Sequence, residues 1–301
     1  MTYSIWANAS TLVEKVKNFD VERMEGTAKY EWLEMTNSRD SFHGERGTEG
    51  VIEEFYGPHE HEAKITSQLE SEIISDEMFK KRFSFVNRQT SGQRVDIPRY
   101  LNGDPRYWFT VKKKRTKVPS VRVYAPMGGR GYVSPEEMDI CGATTCAIVE
   151  MLESNGINVE LWATCCAEDV FRINKNTGEK NQSHICHMIK LKDSGDYTDY
   201  GMINYITGNS QFYRNIIFKD RIMSSFGRED IRYSGAGGSY NFSKEAIPVD
   251  EEYASDLDIV VPRCYSIDAA KDYIEKNFLS GNSLIEQSHE AANNKEEDPC
   301  A

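Results

Sequence analysis

Tyr107, Trp108 and Phe109 stand just before the one concentrated basic run of the chain, Lys112, Lys113, Lys114, Arg115 and Lys117. Aromatic rings stack on unpaired bases and cationic side chains pair with phosphates, so this composition suits single-stranded nucleic acid. A solvated charged linker accounts for the same run and is the preferred reading. The second candidate is Met127-Gly-Gly-Arg-Gly131, a glycine-rich loop between an expected strand and an expected helix N-terminus. Backbone N–H groups and the helix dipole favour anions at such a place. Gly128, Gly129, Arg130 and Gly131 match neither a P-loop nor a dinucleotide fingerprint. A tight turn is preferred there, with a partner- or anion-binding loop as the alternative.

The remaining chemistry-bearing residues are more scattered. His59-Glu-His61 and His184-Ile-Cys-His187 are the histidine clusters. Zinc needs three or four converging ligands. On a strand His187 falls on the opposite face from His184 and Cys186, so both clusters read as surface or half-buried histidines. Gly235-Ala-Gly-Gly238 reads as a loop. No Gly-x-Ser-x-Gly elbow and no nucleophile–base order stands out. Asp196, Asp199, Asp256 and Asp258 lie near expected strand ends, where structural or solvating roles are preferred over acid–base or metal chemistry. No catalytic residue, metal site or cofactor is assigned.

The 301 residues carry 36 Lys and Arg against 48 Asp and Glu, a net charge of −12. That balance repels phosphate from the surface as a whole, so nucleic-acid binding would have to be local. Seven cysteines, an odd number at irregular spacing, do not read as a secreted disulfide framework, and most are expected to be reduced and semi-buried. No apolar run approaches the roughly 18 residues that span a bilayer, and the first ten residues lack the features of a signal peptide. A cytoplasmic protein without a membrane partner is expected.

The elements that must position these residues divide the chain in three. Residues 1–90 read as an irregular, mainly helical N-terminal region, with helices over 10–19 and 60–74 and a short strand at 83–86. Residues 91–280 read as an α/β domain. Val121–Ala125 is a strand of β-branched and aromatic residues. Ser134-Pro135 is an N-cap followed by Pro at the first helical position, and Asn155-Gly156 is a left-handed C-cap. Ile157–Ala163 is the next strand, so the pair is parallel with a crossover helix. Further strands are expected at 185–191 and 257–261, with helices over 200–226 and 266–278. Residues 281–301 read as an acidic disordered tail.

Val133-Ser-Pro-Glu-Glu-Met138, the run from Cys141 to Gly156, and Val159-Glu-Leu-Trp162 resemble a family of uncharacterised phage and mobile-element proteins. Val95–Pro105, Ser224–Gly227 and Gly235–Gly238 fit the same family, and the resemblance spans residues 83–280. It implies a phage context and a fold, with no activity attached. The β–α–β block is similar, more distantly, to von Willebrand factor A domains. Their first loop carries Asp-x-Ser-x-Ser, whose hard oxygen donors hold a divalent ion. Here Tyr124-Ala-Pro-Met-Gly-Gly-Arg-Gly131 lacks those donors and adds Arg130. The resemblance therefore implies a von Willebrand A-like, doubly wound, mostly parallel sheet with a degenerate metal site.

These readings set three functional expectations. The first is a non-enzymatic phage adaptor, acting in the host cytoplasm, that recruits a protein partner through the von Willebrand A-like domain. A phage polymerase or an ATPase is the candidate partner. The second is a single-stranded DNA-binding accessory protein that recruits or activates a phage RNA polymerase in transcription or replication. The third is an enzyme using the strand-end aspartates.

Overall fold

A computed structural model describes residues 2–24, 26–37, 47–73, 87–89, 94–95, 108–110, 119–129, 133–173, 180–225, 239–240, 257–280 and 283–294. Strand β1 (Thr2–Trp6) is followed by helices α1 (Ala9–Lys17), α2 (Gly26–Asn37), α3 (Gly47–Phe55) and α4 (Glu60–Ile73). Three short strands follow: β2 (Asn87–Gln89), β3 (Arg94–Val95) and β4 (Trp108–Thr110). Then come β5 (Ser120–Pro126), α5 (Pro135–Ser154), β6 (Asn158–Ile173), β7 (Lys180–Lys192) and α6 (Tyr200–Gly208). A π-helical turn, Tyr213–Ile217, leads into α7 (Phe218–Ser225). The chain ends with β8 (Ser239–Tyr240), β9 (Leu257–Val260), α8 (Ile267–Ile274) and α9 (Leu284–Asn294).

The fold is mixed α/β. Its main sheet has the order β1-β7-β6-β5-β9, with β8 paired to β6 off that path. Every junction on the path is parallel except β6–β7. The expected parallel pair is β5–β6, with Val121 opposite Val159 and Val123 opposite Leu161. A separate antiparallel sheet has the order β2-β4-β3.

Crossover helix α5 follows from its ends. Ser134 and Glu137 form a reciprocal capping box with Pro135 behind it, so orphan N–H groups of the first turn are bonded locally. At the other end Gly156 takes φ +77°, a conformation that costs other residues more. Between them Ala143, Cys146, Ile148, Val149 and Leu152 are buried against Val121, Val123, Val159, Leu161 and Ile259. Each fully buried branched side chain there contributes roughly 1.5–3 kcal/mol. Small residues bring α6 close: a Cβ at Gly142 or Gly208 would collide with the Asn204 side chain.

A second apolar cluster joins α1, α2 and α3 to α6, the π-turn and α7, and includes Ala163, Cys165 and Ile189 from the sheet. The opposite sheet face carries polar rows. Arg122 has Glu160 and Asp258 as its register partners. Its Nε donates to Glu160 Oε1 at 3.1 Å, and Trp162 Nε1 donates to the same oxygen at 2.5 Å.

Several expectations change. The N-terminal region contributes more than helices, because β1 lies at the edge of the main sheet beside β7. Strand β6 runs ten residues beyond Ala163, to Ile173, because its second half pairs antiparallel with β7 across two register shifts. The tail expected to be disordered contains α9, whose start is closed by Ser283 and Glu286 bonding each other's backbone N–H. Leu284 and Ile285 pack on the main core, which holds this helix in place. The strand expected at 83–86 lies outside the described residues.

Candidate functional site

In an open α/β sheet, the crevice for a ligand lies outside the carboxyl ends of the strands, where the strand order reverses. That point here is β5, with β6 on one side and β9 on the other. The Met127–Gly129 segment leaves β5 at this place. Met127 is buried, its N–H donates to Thr164 O at 2.9 Å, and its carbonyl accepts from Arg263 Nη2 at 3.5 Å. Gly128 has φ +72°, and a Cβ on it would overlap the Tyr213 ring. A Cβ on Gly129 would sit 3.0 Å from Val133 Cβ. Beside the loop, the Cys141 thiol donates to Cys264 O at 2.9 Å, and burial pushes that thiol up to about 12. Gly128 and Gly129 are therefore packed as a tight turn, while Arg130 and Gly131 lie outside the described residues.

Tyr213 connects this loop to a buried polar hub under α7. Consecutive helical residues project about 100° apart, and Lys219, Asp220 and Arg221 go to three different partners. Lys219 Nζ donates to Thr36 Oγ1 at 2.6 Å and lies 4.7 Å from the centre of the Trp32 ring. Burial brings its ammonium down to about 7, against the pull of Glu49. Asp220 Oδ2 accepts from Ser4 Oγ at 2.9 Å, Trp6 Nε1 at 3.1 Å and His187 Nδ1 at 2.6 Å. A carboxylate only accepts, so neutral His187 carries its proton on Nδ1, leaving Nε2 buried without a hydrogen-bond partner among the described residues. Burial lowers the His187 pKa, Asp220 works against that, and Arg221 adds to it.

Arg221 is fully buried and donates to Tyr213 OH at 2.5 Å and to Cys165 Sγ at 3.1 Å. Burial works against its charge, and Tyr213 and Cys165 more than offset this, so its pKa is raised. The hub ties β1 and α2 to β6 and β7. Sequence reasoning missed it. The available signal was a charged triplet, Lys219-Asp-Arg221, set between Ile216-Ile-Phe218 and Ile222-Met223.

The other singled-out residues are dispersed. Among the nucleic-acid candidates, Tyr107, Lys112, Lys113, Lys114, Arg115 and Lys117 lie outside the described residues. Trp108 and Phe109 belong to β4, the central strand of the small sheet. His61 is exposed. His59 and Asp199 both line an open cleft of about 460 Å³ at the α3–α4 junction. There His59 Nε2–H donates to Phe55 O at 3.2 Å, and Asp199 caps α6 by accepting from Met202 N at 3.0 Å. Asp256 and Gly235–Gly238 lie outside the described residues. Cys141, Cys146, Cys165 and Cys264 lie outside any disulfide and are buried more deeply than the semi-buried placement expected, while Cys166 and Cys186 form a disulfide. They are register partners on β6 and β7, a placement that spacing in sequence does not reveal. Among the described residues, no group of three or more His, Cys, Asp or Glu is placed to hold a metal ion, and no helix is long and apolar enough to cross a membrane.

A family model described as "Domain of unknown function (DUF7192)" matches residues 10–285. No curated protein and no solved structure matches the chain.

Proposed function

We propose that this chain, which belongs to the DUF7192 family of unknown function, is a binding protein that recruits a protein partner. The observation that carries the reading is the edge strand β1. Among the described residues it pairs only with β7, and Tyr3 and Ile5 are 37% and 52% exposed. Its sequence, Thr-Tyr-Ser-Ile-Trp, has neither the charge nor the proline that natural edges use to discourage further pairing. An extended segment of a partner can add a strand there, its main chain bonding to β1 and its side chains meeting Tyr3 and Ile5. The Asp220 contacts to Ser4 and Trp6 hold the edge in place.

The finer reading is a von Willebrand A-like adaptor of phage or mobile-element origin. The β5–α5–β6 unit and the interior position of β5, parallel to both β6 and β9, support it, as does a first loop filled by Tyr213 where the metal-binding versions keep oxygen ligands. The test is affinity capture with the full chain from cells infected by a phage that encodes it, alongside Tyr3→Lys/Ile5→Lys. One partner retained by the parent and lost by the variant, at equal thermal stability, is the expected result. Equal capture by both proteins, or no partner at all, refutes the reading.

A further inference from the structure

The cleft between the end of α3 and the start of α4 has a volume of about 460 Å³, within the range of roughly 300–1,000 Å³ that small-molecule sites occupy. Its lining carries charge of one sign. Glu60 and Asp199 are exposed carboxylates there, and no Lys or Arg is among the described lining residues. Asp199 accepts from Met202 N through Oδ1, and a carboxylate has further acceptor sites to offer. Tyr56 supplies an aromatic face beside them. Its hydroxyl donates to Glu14 Oε1 at 2.7 Å, which fixes the ring, while 51% of the residue stays exposed. Buried Phe55 and part-buried Met202 add apolar surface. The wall holds one more acceptor. With Nε2–H on Phe55 O, His59 Nδ1 keeps its lone pair, and it is buried without a hydrogen-bond partner among the described residues. The His59 side chain is only 6% exposed, and Glu62 Oε2, 3.9 Å from Nδ1, is itself an acceptor.

We infer that this cleft binds an organic ammonium group on a short alkyl stem, with the head at Glu60, Asp199 and the Tyr56 ring and the stem over Phe55 and Met202. An ammonium brings three donors and no acceptor, which complements a lining rich in acceptors. A cation within about 6 Å of a ring centre is attracted by the ring quadrupole, and the methylenes of the stem cover apolar surface while the head stays wet. An anion would meet two carboxylates, and a neutral alcohol of the same length would forgo both attractions to the head. The net charge of −12 draws cations to the surface as a whole, so the fixed ring and the apolar floor are what single out this place. No residue of β1 lines the cleft, and either site stands if the other fails.

The experiment is isothermal titration calorimetry of the full chain at 50 mM NaCl with putrescine, with a blocked Gly-Lys-Gly peptide, and with butanediol as the uncharged stem. Glu60→Gln/Asp199→Asn removes both charges, while the new amide oxygen still caps α6, and is expected to weaken ammonium binding about five-fold. Tyr56→Leu is expected to weaken it about two- to five-fold, and Tyr56→Phe to retain it. Asp272→Asn/Glu290→Gln removes two exposed charges from α8 and α9, which do not line the cleft, and should leave binding unchanged. Thermal melts of each variant separate a lost site from a lost fold. Tighter binding of putrescine identifies a free amine as the ligand, and tighter binding of the peptide identifies a lysine side chain. Either result supports the site, as do equal affinities for the two. No binding of putrescine or peptide at 10 mM overturns the proposal, as does butanediol binding as tightly. Unchanged binding by either folded cleft variant, Glu60→Gln/Asp199→Asn or Tyr56→Leu, overturns it too, and so does an equal loss in Asp272→Asn/Glu290→Gln.

Discussion

Replacing Gly128 by alanine tests whether the loop at the carboxyl end of β5 is packed shut. The backbone at Gly128 has φ +72°, which costs an L-residue roughly 1–2 kcal/mol. The new Cβ also overlaps the Tyr213 ring, and forcing a group into a packed site costs about 1–3 kcal/mol more. The sum is about 2–5 kcal/mol. At about 2 °C per kcal/mol for a chain of this size, the thermal midpoint falls by about 4–10 °C. Gly156 is the internal control. Its φ is +77°, but a Cβ there meets nothing within 4 Å, so Gly156→Ala carries only the backbone cost of about 1–2 kcal/mol. Placing Gly128→Ala in a Tyr213→Ala background removes the ring and brings its cost down to the same level. The assay is urea unfolding of the full chain followed by circular dichroism, with the three comparisons run in parallel. If Gly128→Ala costs no more than Gly156→Ala, or if Tyr213→Ala leaves its cost unchanged, the loop is open and the argument from packing fails.

Other outcomes follow from the buried groups. His187 has a folded pKa lowered by burial, so the unfolded chain binds more protons below its ordinary value of about 6.5. Its contribution is complete above that pH and is lost as the pH falls towards the folded value, and urea midpoints should drop over that range less steeply in His187→Gln. Lys219, lowered to about 7, follows the same sign at higher pH. Its share of stability is complete above its unfolded value of about 10.4 and is lost as the pH falls through about 7, with a slope of at most about 1.4 kcal/mol per pH unit. Lys219→Met should flatten that slope, and an unchanged slope refutes the assignment. Asp220→Ala leaves three donors, on Ser4, Trp6 and His187, without their shared acceptor and should cost about 3 kcal/mol by urea unfolding. A cost under about 1 kcal/mol would show that the hub does not hold β1 to the sheet. Non-reducing digestion and mass spectrometry should recover the Cys166 and Cys186 peptides linked, and recovery only as separate thiols contradicts the pairing.

What the sequence determined by itself is local. The capping box at Ser134 and Glu137 spans three residues, Gly156 marks its own helix end, and the β-branched run of β5 alternates on its own. Signals of that range, set by backbone sterics and neighbouring hydrogen bonds, placed the β5–α5–β6 unit and the helices after it. Tertiary structure decided what joins across long separations. Ser4 reaches Asp220 over 216 positions, and Lys219 reaches Thr36 over 183. Such contacts exist only once β1 and α2 have packed beside α7. Desolvation then makes each of these polar groups depend on a partner that the local sequence does not name. The same holds for the functional candidates. Lys219-Asp-Arg221 reads as one charged run in sequence, but its three side chains go to Thr36, His187 and Tyr213. Cross-strand register, which no local pattern encodes, likewise sets Cys166 opposite Cys186.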